Sequence, residues 1–353
     1  MRTSITVKTM NGSDREIAVD TVRYLKIVDA EAKGGPQKAK IVLGNEKTPV
    51  LVEQPVNDLR GPDLPLVYVG GGVYVPRVLI RQIEPISDKD RQGLADAKNI
   101  DASKYQTRIV LTGGLTPVWG VKTIDQLNER GMRFVPVGNG SHVHIDNIRK
   151  VVELDDAERA RIAGKLGIDV SAFRTQIVIE GDDKPKLSRF SIIEMNAAGL
   201  ALAPIAPGEY AVRSNVRYFR PFSEEEQEEL ARKYPEIEAG RFASKLVLAS
   251  EDSMLATGKV EDLQAAFAAV NVGYDRYVPA ANIVPDRIVS FTRDEKKGLK
   301  EAGYAMERNW RSSVGLTNGR ILSPATVEQI KQRREAALAK AGAGTSAPQV
   351  AAE

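Results

Sequence analysis

Short apolar triplets of strand character recur along this chain at a fixed interval. Ile41-Val42-Leu43, Ile109-Val110-Leu111, Ile177-Val178-Ile179 and Leu246-Val247-Leu248 begin 68, 68 and 69 residues apart. Pro49, Pro117 and Pro185 keep the 68-residue step. So does an apolar pair three residues apart, Val56/Leu59, Ile124/Leu127, Ile192/Met195 and Val260/Leu263. That spacing puts both side chains on one face of a short helix. A later strand is marked by Ile80, Ile148, Val216 and Ile283, and the helix after it by Leu94, Ile162, Leu230 and Leu299. Ser87, Asp155, Ser223 and Thr292 precede that helix, each followed three residues on by an acid (Asp90, Glu158, Glu226, Glu295), the pattern of an N-cap with a capping box.

The pattern predicts a mainly β protein with short helices (α+β), built of four tandem β-rich repeats of 67 to 69 residues preceded by a half-repeat. The repeats span 39–106, 107–174, 175–243 and 244–310. Each reads strand, Pro-containing turn, strand, short helix, then a hairpin and a capped helix. The hairpin is clearest where Phe134-Val135-Pro136-Val137 and His142-Val143-His144-Ile145 flank Gly138-Asn139-Gly140. Residues 1–38 form the half-repeat, because 16–28 (EIAVDTVRYLKIV) aligns with 74–86 (YVPRVLIRQIEPI); this segment completes the first unit. The repeat is expected to end at 310, leaving a C-terminal extension, 311–340, with a basic helix, and a disordered tail, 341–353.

Composition narrows the chemistry. There is no cysteine, and His142 and His144 are the only histidines. Disulfide scaffolds, thiolate metal sites and thiol nucleophiles are therefore excluded, and the chain has no Gly-rich phosphate loop or nucleophile elbow. We expect no catalytic residues, no cofactor and no metal. No apolar run is long enough to span a bilayer, and the first residues lack a signal-peptide core, which points to a cytoplasmic protein. Net charge is +3, distributed as +2 in 1–38, then 0, +2, −3 and −1 over the four repeats, and +3 from 311 onward. The ends and the second repeat are the better candidates for an anionic partner. The acidic run 224–229 reads as the first turns of a capped helix, where the dipole favours it.

One polar feature repeats. Arg23, Arg81, Arg149 and Arg217 each follow the strand landmark, whereas Val284 stands there in the fourth repeat. Such a row could track phosphates on a partner or pair with acids within the chain.

The hairpin carries a resemblance. Phe134 to Ile148 (FVPVGNGSHVHIDNI) resembles, in length and at Phe134, Val137, Val143 and Ile148, the F-x-x-V-H-R-S-x-x-V-N-x-x-x-I element of LytTR-type DNA-binding domains. Residues 66–80, 202–216 and 269–283 follow the same outline. Where that family has its polar contact loop, this chain has Gly70-Gly71-Gly72, Gly138-Asn139-Gly140, Ala206-Pro207-Gly208 and Gly273-Tyr274-Asp275. The resemblance implies a tandem LytTR-like protein that regulates transcription or organises DNA by contacting double-stranded DNA. The candidate contacts are the arginine row, Asn139, His144, Tyr274 and Arg276 at turn tips, and Lys331, Arg333 and Arg334 on the basic helix. The alternative is a repeat-built protein-interaction or assembly protein, such as a phage or virion component, that binds a protein partner and no nucleic acid.

Overall fold

A computed structural model describes residues 4–28, 38–44, 46, 48–60, 64–98, 101–138, 140–180, 185–250, 252–292, 294–295, 297 and 310–343. It opens with a hairpin of β1 (Ser4–Lys8) and β2 (Asp14–Ala18). The first five-stranded sheet comprises β3 (Val22–Val28), β4 (Lys38–Leu43), β5 (Val50–Val52), β6 (Leu66–Gly70) and β7 (Val73–Pro76), with α1 (Val56–Leu59) between β5 and β6. Its order is β5-β4-β3-β7-β6, antiparallel throughout. The long strand lies at the centre, paired with the strands before and after it.

The same arrangement recurs three times. The second sheet, β10-β9-β8-β12-β11, uses β8 (Ile80–Pro85), β9 (Thr107–Leu111), β10 (Val118–Gly120), β11 (Phe134–Pro136) and β12 (His142–His144), with α2 (Asp88–Lys98) and α3 (Ile124–Asn128). The third, β15-β14-β13-β17-β16, uses β13 (Ile148–Glu153), β14 (Thr175–Ile179), β15 (Lys186–Ser188), β16 (Leu202–Ala206) and β17 (Glu209–Val212), with α4 (Asp156–Leu166) and α5 (Ile192–Ala197). The fourth, β20-β19-β18-β22-β21, uses β18 (Val216–Pro221), β19 (Ser244–Leu248), β20 (Ser253–Ala256), β21 (Ala269–Asn271) and β22 (Tyr277–Pro279), with α6 (Glu224–Lys233) and α7 (Val260–Phe267). Each sheet thus begins on the strand that closes the preceding sequence repeat. The architecture is a β-rich α+β repeat, and among the described residues no helix is long and apolar enough to cross a membrane.

The repeat does not stop at residue 310. β23 (Ile283–Ser290), β24 (Ser312–Leu316) and β25 (Gly319–Ser323) form a three-stranded sheet, and α8 (Val327–Ala343) follows. β24 lies 68 residues after β19, and Val327/Ile330 continues the apolar pair of the short helices. The basic helix is therefore the fifth repeat's short helix, lengthened, and it takes in residues 341–343 of the tail; residues 344–353 lie outside the described residues. The pattern is hidden in the sequence because Gly315 interrupts the aliphatic triplet. A Cβ there would stand 2.3 Å from Cβ of Arg287, so this close approach of strands demands glycine.

Local signals and packing agree. β9, β14 and β19 share one pattern, in which alternate residues are buried as a half-covered strand requires. Ile124 and Leu127 of α3 cover a core made by Val67, Val69 and Val75 together with Ile80, Ile83, Ile109 and Leu111, so one hairpin packs on the following sheet. Val260, Leu263 and Phe267 of α7 do the same over Ala203, Ile205, Phe219 and Leu246. The capped helices start where expected: Ser87, Asp155, Ser223 and Thr292 accept from the backbone N–H three residues on, at 3.1, 2.7, 3.2 and 3.2 Å.

A second repeated device ties the repeats together. The side-chain amide of Asn147 donates to Ile80 O at 2.5 Å and that of Asn215 to Ile148 O at 2.9 Å. Asn282 donates to Val216 O and Arg213 O, both at 2.9 Å. Asn215 and Asn282 are buried, so the bonds satisfy carbonyls that water cannot reach. By compactness the chain divides into two units, residues 1–147 with 172–174 and 178–191, and residues 148–171 with 175–177 and 192–353.

Candidate basic cleft

The second unit contains a cleft of about 690 Å³ with five cationic side chains in its wall: Arg217, Arg220, Lys245, Arg276 and Arg320. Its origin lies in β18. Val216 and Phe219 are fully buried, and the register with β19 shifts between Val216 and Tyr218. Arg217, Tyr218 and Arg220 are therefore all left off the core and on the cleft. Arg220 pairs directly opposite Lys245 of β19, a like-charge neighbour pair that costs stability unless a counter-charge bridges it.

Glu226 is that bridge. It is the third residue of capped helix α6, whose side chain completes the capping box with Ser223. Its two oxygens accept from Arg220 at 2.6 Å each, and one accepts from Lys245 at 3.1 Å. These bonds, the Arg220 fork first, hold the carboxyl down at about 2 despite partial burial. Five cations therefore line the cleft, and Glu226 bridges two of them.

The other wall is aromatic and backbone-braced. The Arg276 guanidinium lies 5.1 Å from the ring centre of Trp310, 5.9 Å from Tyr274 and 6.0 Å from Tyr218, and donates to Leu322 O at 2.8 Å. Arg217 donates to Arg320 O at 2.6 Å. It passes over Gly319, whose φ of +142° and distance of 3.2 Å from a notional Cβ to Arg217 Nε leave no room for a side chain. Trp310 is 8% exposed, and its indole N–H has no hydrogen-bond partner among the described residues.

Comparing the repeats with one another shows what is peculiar to this cleft. The positions of Tyr218, Arg220, Lys245 and Arg276 correspond to Gln82, Glu84, Arg108 and Ser141 in the second sheet, and to Lys150, Val152, Gln176 and Glu209 in the third. In the second sheet Glu84 accepts from Gln82, Arg108 and Ser141, and Lys186 donates to Gln82, so the acid stands within the sheet itself. In the third, Lys150 is neutralised by Glu209 at 2.8 Å. The fourth places cations at three of these four positions, and Glu226 of α6 bridges two of them.

The residues singled out from sequence fare unequally. Arg23 donates to Thr116 O and Pro117 O at 2.8 Å, Arg149 to Ser253 O at 2.8 Å, and Arg217 to Arg320 O. These arginines clip their own strand to backbone carbonyls in the Pro-turn region of the repeat ahead; Arg81 is half-buried in the same row. Val284 ends the row where no further repeat follows in the described residues. Asn139 lies outside the described residues. His144 is corrected as a contact: it is 2% exposed, edge-on to Phe134, and accepts from Asp146 N, so no partner reaches it. Burial lowers its pKa to about 4, over the opposing pull of Asp146. Tyr274, at φ +54°, and Arg276 stand together at the cleft. On α8, Lys331 is exposed, while Arg333 donates to Asn271 O and Arg334 to Ala280 O and Ile283 O. Among the described residues no group of three acids or histidines could hold a metal.

Arg220, Lys245, Arg320 and Trp310 were not legible as a site. Repeats three and four carry net negative charge, and the acids of α6 mask a local cationic surface in any segment sum. The signal available was position by position: Arg220 replaces Glu84, and Arg276 replaces Glu209.

Fold and site together define a β-rich repeat protein with one concave, aromatic-lined cationic cleft in its second unit. Comparison with protein-family models, curated proteins and solved structures finds no match to this chain.

Proposed function

We propose that this is a non-catalytic DNA-binding protein whose contact surface is the basic cleft of the second unit, to which the arginine row contributes Arg217 alone. The observation that carries the reading is the convergence of Arg217, Arg220, Lys245, Arg276 and Arg320 on one hollow, with Arg220 and Arg276 standing where the second and third sheets have Glu84 and Glu209. Guanidinium groups with several outward N–H donors match phosphate oxygens, and backbone bracing of Arg217 and Arg276 presets their positions. The resemblance of the hairpins to LytTR-type domains supports the same class of ligand. Its duplex-reading loop is not carried over, because Gly70-Gly71-Gly72, Ala206-Pro207-Gly208 and Gly273-Tyr274-Asp275 stand where that family has its polar contact loop.

The protein-interaction reading is favoured by that same engagement: what repeats along the chain is intramolecular bracing, and the cationic surface would then take an acidic protein segment. Fluorescence anisotropy with labelled DNA, single-stranded and duplex, across a salt series separates the two. DNA binding that weakens linearly with log salt supports the proposal. No binding of either form at low salt refutes it and leaves the protein-interaction reading.

A further inference from the structure

Resting on the DNA-binding reading, we infer that the cleft takes an unpaired strand rather than a duplex, with its phosphates on the five cations and a base or phosphate oxygen on the Trp310 indole N–H. Shape comes first. Proteins read duplex DNA by inserting a convex helix or ribbon into a major groove about 12 Å wide. Here the cations line a hollow of about 690 Å³, which a duplex cannot enter and a single strand can. The cleft is also of small-ligand size, about 300–1,000 Å³ for such sites, so it accommodates a short stretch of strand and not an extended helical surface.

Chemistry comes second. Grooves that hold single strands combine cations along the backbone path with aromatic side chains beside the bases. Tyr218 and Trp310 line this cleft together with the five cations. The Trp310 indole is more than nine-tenths buried, and its donor has no partner among the described residues. A buried N–H without an acceptor is costly, and a ligand oxygen would satisfy it. Third, Arg320 is an exposed side chain at the rim, on β25, beside the braced Arg217.

The test uses the full chain carrying Trp119→Phe, which leaves Trp310 as the sole tryptophan, and a mixed-sequence oligonucleotide presented single-stranded or as a duplex of the same length. The single strand should bind about tenfold or more tighter than the duplex and quench Trp310 fluorescence on stacking or close approach. If all five cations engage phosphates, the log–log salt slope should be about −3.5, so that a fourfold rise in salt weakens binding about a hundredfold. Arg320→Glu should reduce that slope by about 0.7 and weaken binding. Lys165→Glu, which makes the same charge change on an exposed position of α4, should not. Circular dichroism confirms that each variant is folded. Arg276→Ala serves as a second probe, although its bond to Leu322 O makes it less separable from structure.

Duplex binding as tight as single-strand binding overturns the inference while the DNA-binding reading stands. Single-strand binding that is indifferent to Arg320→Glu, or that leaves Trp310 unquenched, places the strand elsewhere and also overturns it. Binding of neither form overturns the DNA-binding reading and the inference with it.

Discussion

Replacing Glu226 by Gln should lower stability and raise anion affinity at once, and the structure sets the size of both effects. Gln at this position keeps the helix N-terminus, since it can still accept from the Ser223 N–H. What is lost is the negative charge between Arg220 and Lys245, which then face each other unbridged across β18 and β19. The Glu226 carboxyl sits at about 2 in the fold against 4.5 in an unfolded chain, a difference worth about 3 kcal/mol at neutral pH. Its side chain is 23% exposed, and screening by water brings the expected loss to about 2 kcal/mol. Because the folded pKa is the lower one, this stabilisation is complete above about pH 4.5 and declines as pH falls toward 2. The gap between wild type and Glu226→Gln in urea unfolding, followed by circular dichroism, should therefore be about 2 kcal/mol at pH 7 and roughly half that at pH 3. Over the same substitution the cationic excess of the cleft rises by one, so DNA affinity at pH 7 should increase. A stability gap that does not change with pH would show that Glu226 acts through packing or capping alone. A fall in DNA affinity in a folded variant would contradict the electrostatic account of the cleft.

Two further predictions concern the scaffold. Asn282→Leu removes two amide bonds of 2.9 Å, leaving Arg213 O with the Val216 N–H and Val216 O with the Asn318 amide at 3.4 Å, so it should cost about 1–3 kcal/mol in denaturant unfolding; a loss below about 0.5 kcal/mol, the range of neutral surface changes, would remove the asparagine from the bracing of the repeats. His144 should titrate near pH 4 by NMR of its imidazole ring, and acidification from pH 6.5 should destabilise the fold, because the unfolded chain takes up a proton that the buried ring refuses; a midpoint near 6.5 would contradict its burial.

Much of the scaffold is written in the sequence because it depends on local rules repeated several times over. Hydrophobic periodicity, capping boxes and apolar pairs three residues apart each specify a strand, a helix start or a helix face from a few neighbouring residues. Recurrence at one interval then fixes a common architecture. Asn147, Asn215 and Asn282 before the strand landmark, and the fifth repeat beyond residue 310, keep the same interval as well. The arginine row was visible too, but its destination was not. Arg23, Arg149 and Arg217 find carbonyls 93 to 104 residues away, and no local rule reports a partner at that distance.

The cleft belongs wholly to the tertiary structure. Arg217 and Arg220, Lys245, Arg276 and Arg320 come from five points spread over a hundred residues, and all but Arg320 lie within repeats whose summed charge is negative. Charge adds over a sequence segment without regard to direction, whereas the potential at a surface depends on which side chains face it and how near their counter-ions stand. Sheet pairing put Lys245 opposite Arg220, the bulge in β18 turned Arg217 and Tyr218 away from the core, and the α6 cap brought one carboxylate of its acidic run into reach. The sequence determined the repeated β scaffold; only the packing of its fourth and fifth repeats decided where positive charge accumulates.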